Sequence, residues 1–68
     1  MAEMERGDAL LTRRQTLARI GLKSTWLKVA LAEGRFPRPV RIGNRALFSA
    51  REVQAWIEAR LAERDRAA

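Results

Sequence analysis

The chain has 68 residues, neither cysteine nor histidine, and a net charge of +6 from 14 Lys or Arg against 8 Asp or Glu. That length allows one domain with one small core, burying about 60% of its unfolded-chain surface. Without Cys or His there are no disulfides, no usual zinc sites, and neither the thiol nucleophile nor the imidazole base of most small hydrolases, so no enzyme, metal or cofactor is expected.

Neither a long apolar run nor a signal-peptide pattern is present, which predicts a soluble cytoplasmic protein. The charge is unevenly placed. Between Ala9 and Arg51 ten basic residues face one acidic residue, Glu33, a net of +9, while the flanks together carry −3. Such segregation is the electrostatic footprint of a polyanion binder. Nucleic acid fits it better than a membrane surface, because no basic amphipathic helix with a broad apolar face is present.

Taken in order, residues 1–8 are polar and mixed in charge and predict a disordered N-terminal arm, ahead of a domain over 9–62 and a frayed tail over 63–68. Leu10 and Leu11 are expected in the core as a hydrophobic staple before the first helix. Thr12 and Gln15 form a capping box that starts a helix at Arg13, Leu17 and Ile20 share its inner face, and Gly21 ends it. Ser24 is expected to cap a second helix with an apolar stripe of Leu27, Ala30 and Leu31, closed by Gly34.

The two helices form a helix-turn-helix over Thr12–Gly34. At about 100° per residue, Thr25, Lys28, Val29 and Ala32 point away from the stripe, with Ser24 beside them near the helix start. Short side chains let a helix lie close to a groove floor. There Thr and Val methyls can touch a thymine methyl, and a lysine can reach a base edge or a phosphate. An ordinary helical hairpin with a solvated outer face fits these residues equally well. Trp26, at the edge of the stripe, is either a half-buried packing residue or an exposed aromatic that touches DNA or a partner.

The prolines of Arg35-Phe36-Pro37-Arg38-Pro39 cannot continue a helix. Val40-Arg41-Ile42 and Ala46-Leu47-Phe48, separated by Gly43-Asn44-Arg45, predict a β-hairpin with Val40 and Ile42 packed inward, Arg41 pointing out and Arg45 near the tip. Ser49 and Glu52 form a second capping box, opening a helix whose apolar positions are Val53, Trp56, Ile57 and Leu61. Trp56, Phe36 and Phe48 are expected in the core, which leaves few aromatics to stack on RNA bases. The order helix, helix, hairpin, helix gives an α+β, mostly helical fold: a winged helix-turn-helix with a basic hairpin as the wing.

Leu10-Leu11, Gly21-Leu22, the run EGRFPRPVRIG over 33–43 and EVQAWI over 52–57 resemble the AlpA-like branch of the MerR-type winged-helix proteins, whose relatives include phage excisionases. The resemblance covers Leu10 to about Glu58. It implies duplex DNA binding, with the second helix in the major groove (Lys23, Ser24, Thr25, Trp26, Lys28, Val29) and the first helix and wing on the flanking backbone or minor groove (Arg13, Arg14, Arg38, Arg41, Asn44, Arg45). Members commonly carry Tyr-Arg where this chain has Lys28-Val29, and a small hydroxyl residue in place of Trp26, so base preference does not carry over. The expected role is a positive transcriptional regulator of phage or prophage-type genes, acting with RNA polymerase at a promoter or as an antiterminator. An excisionase-like factor working with an integrase and a small RNA-binding adaptor are the alternatives. No coiled-coil heptads are present, so a monomer is expected, with several copies on DNA where sites repeat.

Overall fold

The computed structural model describes residues 8–67. In chain order these form β1 (Leu10–Leu11), α1 (Arg13–Ile20), α2 (Ser24–Ala32), β2 (Val40–Ile42), β3 (Arg45–Ser49) and α3 (Ala50–Ala67). The fold is a small α+β winged helix, and the order helix, helix, hairpin, helix is as the sequence predicts. Residues 1–7 of the expected arm lie outside the described residues.

The predicted capping box at Thr12 is present in both directions: the Gln15 amide donates to the Thr12 hydroxyl at 3.0 Å, and the Thr12 amide donates to the Gln15 side chain at 2.9 Å. Gly21 closes α1 at φ +71, with its N–H on the Leu17 carbonyl at 2.8 Å. The start of α2 differs from expectation. Ser24 is its first helical residue, and Lys23, in extended geometry, occupies the cap position without a side-chain bond. At the other end Gly34 adopts φ +74, and the amides of Gly34 and Arg35 reach back to the carbonyls of Leu31 at 3.2 Å and Ala30 at 2.8 Å. This is a Schellman closure, which satisfies two carbonyls the helix leaves open.

Leu10 and Leu11 form a short strand, and the sheet is three-stranded and antiparallel in the order β1-β3-β2. Leu11 is in the core, whereas Leu10 is exposed, so the pair does not enter the core together. The register pairs Leu11 with Phe48, Arg41 with Ala46, Val40 with Leu47 and Ile42 with Arg45. Directly opposed residues share a face and alternate residues change face, so buried Phe48 defines the inner side. Arg41 therefore shares the inner face with Leu11, Ala46 and Phe48, and Val40 and Ile42 lie on the outer face. This reverses the expected orientation of the wing: Val40 is 48% exposed and Ile42 54%. The two-residue turn has a positive φ at Gly43 and none at Asn44, the type II′ pattern that suits strand twist.

The start of α3 is held from afar. Ser49 accepts from the Glu52 amide at 3.0 Å, the first half of the expected capping box. The Ala50 amide donates to the Ala9 carbonyl at 2.7 Å, and the Asp8 carboxylate accepts from the Arg51 amide at 2.8 Å, the Ala9 amide at 2.8 Å and the Ser49 hydroxyl. The bonds to Asp8, led by the one from Ser49, hold its carboxyl below its ordinary value. Beyond Leu61, which is exposed, the expected fray is not seen, and α3 runs on to Ala67. Ala, Glu and Arg are strong helix formers, Arg60 pairs with Glu63, and Arg64 and Arg66 sit in the last turn, where cations are favoured; no apolar stripe is needed.

Leu11, Leu27, Ala30, Phe36, Phe48 and Val53 make up the core, with Leu17, Ile20, Leu31, Trp56 and Ile57 packed around it. Phe36 is the hub of an aromatic cluster, meeting Trp56 at 5.0 Å, Phe48 at 5.9 Å and Trp26 at 6.2 Å in edge-on geometry. Trp56 is only half-buried, and its indole N–H donates to the Arg35 carbonyl at 3.0 Å.

Candidate nucleic-acid interface

The outer side of α2 is built by subtraction. Leu27 and Ala30 are driven inward and fully buried, which turns Ser24, Thr25, Lys28, Val29 and Ala32 to solvent. All five are exposed, as is Lys23 at the cap. Trp26 departs from this set. Its ring packs against Phe36 and, at 5.7 Å, Trp56, while the Arg35 guanidinium lies 5.7 Å from its centroid. Trp26 is thus a half-buried packing residue of the aromatic cluster, and the outer face of α2 is small and singly charged by Lys28.

Around this face the cations fall into two classes. Three arginines take carboxylates: Arg35 with Glu33 at 2.7 Å, Arg60 with Glu63 at 2.6 Å and Arg64 with Asp65 at 2.9 Å. Arg51 has a looser partner, since its charge contributes to the lowered Asp8 pKa. The other central cations, Arg13, Arg14, Arg19, Lys23, Lys28, Arg38, Arg41 and Arg45, are all exposed and form no ion pair among the described residues. Glu33 is the sole acidic residue between Ala9 and Arg51, and Arg35 occupies it. Eight like charges on one small module repel one another unless anions from outside neutralise them.

These cations are distributed over the first turn of α1 (Arg13, Arg14), its last turn (Arg19), the start and outer side of α2 (Lys23, Lys28), the loop before the wing (Arg38) and the wing itself (Arg41, Arg45). Asn44 is exposed at the wing turn beside Arg45. Arg41 sits on the inner face of the sheet and is still exposed, so the hairpin projects past the core there. Every polar candidate named from the sequence is therefore solvent-accessible, and Trp26 is the one drawn into packing. Two features escaped the sequence reading. The Asp8 clasp joins residues 43 apart, beyond any local motif. The apolar outer face of the wing depends on strand register, which alternation alone leaves ambiguous.

Two shallow grooves flank Trp56, one of about 540 Å³ lined by Pro37, Arg38, Glu52 and Ala55, the other of about 470 Å³ lined by Trp26, Arg35, Arg60 and Glu63. Each lacks the paired carboxylates or activated nucleophile of a catalytic site, and no group of His, Cys, Asp or Glu among the described residues is placed to hold a metal ion. No helix of the described residues is long and apolar enough to cross a membrane.

Residues 9–61 match the family model described as Prophage CP4-57 regulatory protein (AlpA). No curated protein and no solved structure matches the chain.

Proposed function

This chain belongs to the AlpA family of prophage regulatory proteins, and on that premise we propose that it is a sequence-specific duplex DNA-binding regulator of phage or prophage-type genes in the bacterial cytoplasm. The observation that carries the reading is the set of eight exposed cations that form no ion pair among the described residues, spread over the helix-turn-helix and its wing. In this reading α2 enters the major groove. Thr25, Lys28 and Val29 meet base edges, Lys23 and Ser24 hold phosphates at the helix start, and Arg13, Arg14, Arg38, Arg41, Asn44 and Arg45 position the module on the backbone. The protein acts positively, with RNA polymerase, at a promoter or as an antiterminator.

The test is footprinting of the purified protein across its own genomic neighbourhood, followed by titration of the protected duplex at several salt concentrations. If about five cations engage phosphates, log affinity falls against log salt with a slope near −4 to −5. A slope near −1, or equal competition by RNA of the same sequence, would defeat the duplex-DNA reading. Transcription in vitro with and without a downstream terminator, run beside an excision assay with the neighbouring integrase, then separates the regulatory role from that of a recombination factor.

A further inference from the structure

Apart from Arg45 at the wing end, the outer face of the sheet is a surface that the DNA reading leaves without a task. Val40, Ile42 and Leu47 share it with one cation, Arg45, each standing opposite or two residues along from another, and Leu10 joins them through its partner Ser49, two residues from Leu47. Leu10 is 45% exposed, Val40 48% and Ile42 54%. Protein–DNA interfaces are polar and densely cationic, so a face with four aliphatic side chains to one arginine is poorly matched to phosphate. The three helices pack on the opposite side, where Leu11 and Phe48 are buried, so nothing among the described residues covers this one.

Its size narrows the occupant. Three half-exposed aliphatic side chains and the partly buried Leu47 offer on the order of 300 Å², well short of the roughly 800 Å² per partner that a stable interface buries. The eight exposed cations of the same module further oppose association in free solution. Phosphates remove that repulsion once two copies are on one duplex, and tethering supplies the local concentration that a weak contact needs. Under a two-fold axis residue i of one copy meets j of the other and j meets i, and because Arg45 and Ser49 stand at opposite ends of β3, an axis near Leu47 brings the aliphatic side chains together and keeps the two Arg45 cations apart.

We propose that the outer sheet face, Leu10, Val40, Ile42 and Leu47, is a self-contact surface by which two copies of this chain, bound to inverted half-sites on DNA, bind cooperatively while remaining monomeric in solution. The inference rests on the duplex-DNA reading above. Its partner is a second copy of this chain, and its geometry is face to face.

The experiment compares duplexes carrying one footprinted half-site with duplexes carrying two inverted copies at a series of spacings around one helical turn, about ten base pairs. Wild type is expected to bind the paired sites with a cooperativity factor on the order of tenfold at the favoured spacing, equivalent to about 1.4 kcal/mol, and to sediment as a monomer without DNA. Two variants that keep charge and strand propensity, Leu10→Thr and the double change Val40→Thr with Ile42→Thr, should each reduce the factor to below about twofold, with single-site affinity unchanged. Leu10 is on the edge strand away from the hairpin, so its effect cannot come from a wing-tip contact with DNA. Wild-type single-site binding without cooperativity at any inverted spacing overturns the proposal. A fall in single-site affinity with cooperativity retained assigns the face to DNA and overturns it as well. Absence of single-site binding refutes the underlying DNA reading instead.

Discussion

Among the described residues Thr16 is the buried polar one, fully inaccessible on the inner side of α1, and its hydroxyl has no hydrogen-bond partner there. Replacing it with valine keeps the branched shape, exchanges the hydroxyl for a methyl and leaves helix propensity almost unchanged, since Thr and Val rank together. An unsatisfied buried hydroxyl costs about 1–3 kcal/mol. Allowing for imperfect fit of the new methyl, Thr16→Val should stabilise by roughly 1 kcal/mol, which raises Tm by about 4–8 °C in a domain of this size. Thr16→Ser, which keeps the hydroxyl and deletes the methyl, should lower stability by about 1 kcal/mol. Thermal unfolding followed by circular dichroism measures both. A lower Tm for Thr16→Val would show that the hydroxyl is satisfied in the folded protein and would refute the reasoning. DNA affinity should not change in either variant, because Thr16 reaches no surface.

Trp56→Phe should cost about 1 kcal/mol through loss of the indole bond to the Arg35 carbonyl. Trp56→Ala should cost about 3–5 kcal/mol, most of the roughly 3–10 kcal/mol that a chain of this length holds; a cooperative transition within a few degrees of wild type would remove Trp56 from the list of core supports. Asp8 has its pKa lowered in the folded protein, so its contribution is complete above the ordinary carboxyl value of 3.8 and is lost as pH falls through the depressed folded value. The stability gap between wild type and Asp8→Asn should therefore be present at neutral pH and close in acid, and a gap that is constant with pH would show that the clasp does not depend on charge. Lys28→Ala and Thr25→Ala should each erode the ratio of specific to random-sequence affinity by about 1–3 kcal/mol per lost base contact. If that ratio is untouched in titrations of both duplexes, α2 is not the reader.

The features legible in the sequence are those set within a few residues. The Thr12–Gln15 box, the αL closure at Gly21, the Gly43-Asn44 turn and the spacing of Val53, Trp56 and Ile57 all act over four residues or fewer, and each appears where the pattern puts it. What the sequence hides depends on distant partners. A two-residue strand has no periodicity of its own, and β1 exists because Leu11 pairs with Phe48. Alternation correctly placed Val40 and Ile42 on one face and Arg41 on the other, but which face turns inward is decided by Phe48, the larger hydrophobe, two positions beyond the partner of Arg41. Trp26 was ambiguous for the same reason, since the ring that receives it belongs to Phe36, beyond the end of its own helix.

The basic residues are where local chemistry and function separate, and a paired substitution tests the separation. Arg60 lies with its guanidinium 5.0 Å from the Trp56 ring and pairs with Glu63, so it serves packing and its charge is already matched. Arg41 has no ion pair among the described residues and projects on the wing. Arg60→Ala should therefore lower stability by about 0.5–1 kcal/mol, the value of an exposed cation–π contact, and leave both DNA affinity and its salt slope where they were. Arg41→Ala should do the reverse. Stability should hold or rise slightly as like-charge repulsion falls, affinity should weaken alike for all sequences, and the salt slope should shrink in magnitude by about 1. The two readouts, unfolding and salt-dependent binding, thus exchange places between two arginines of the same small domain. If Arg60→Ala reduced the salt slope as much as Arg41→Ala, phosphate contact would not follow the absence of a local carboxylate, and the division of cations into matched and available would fail.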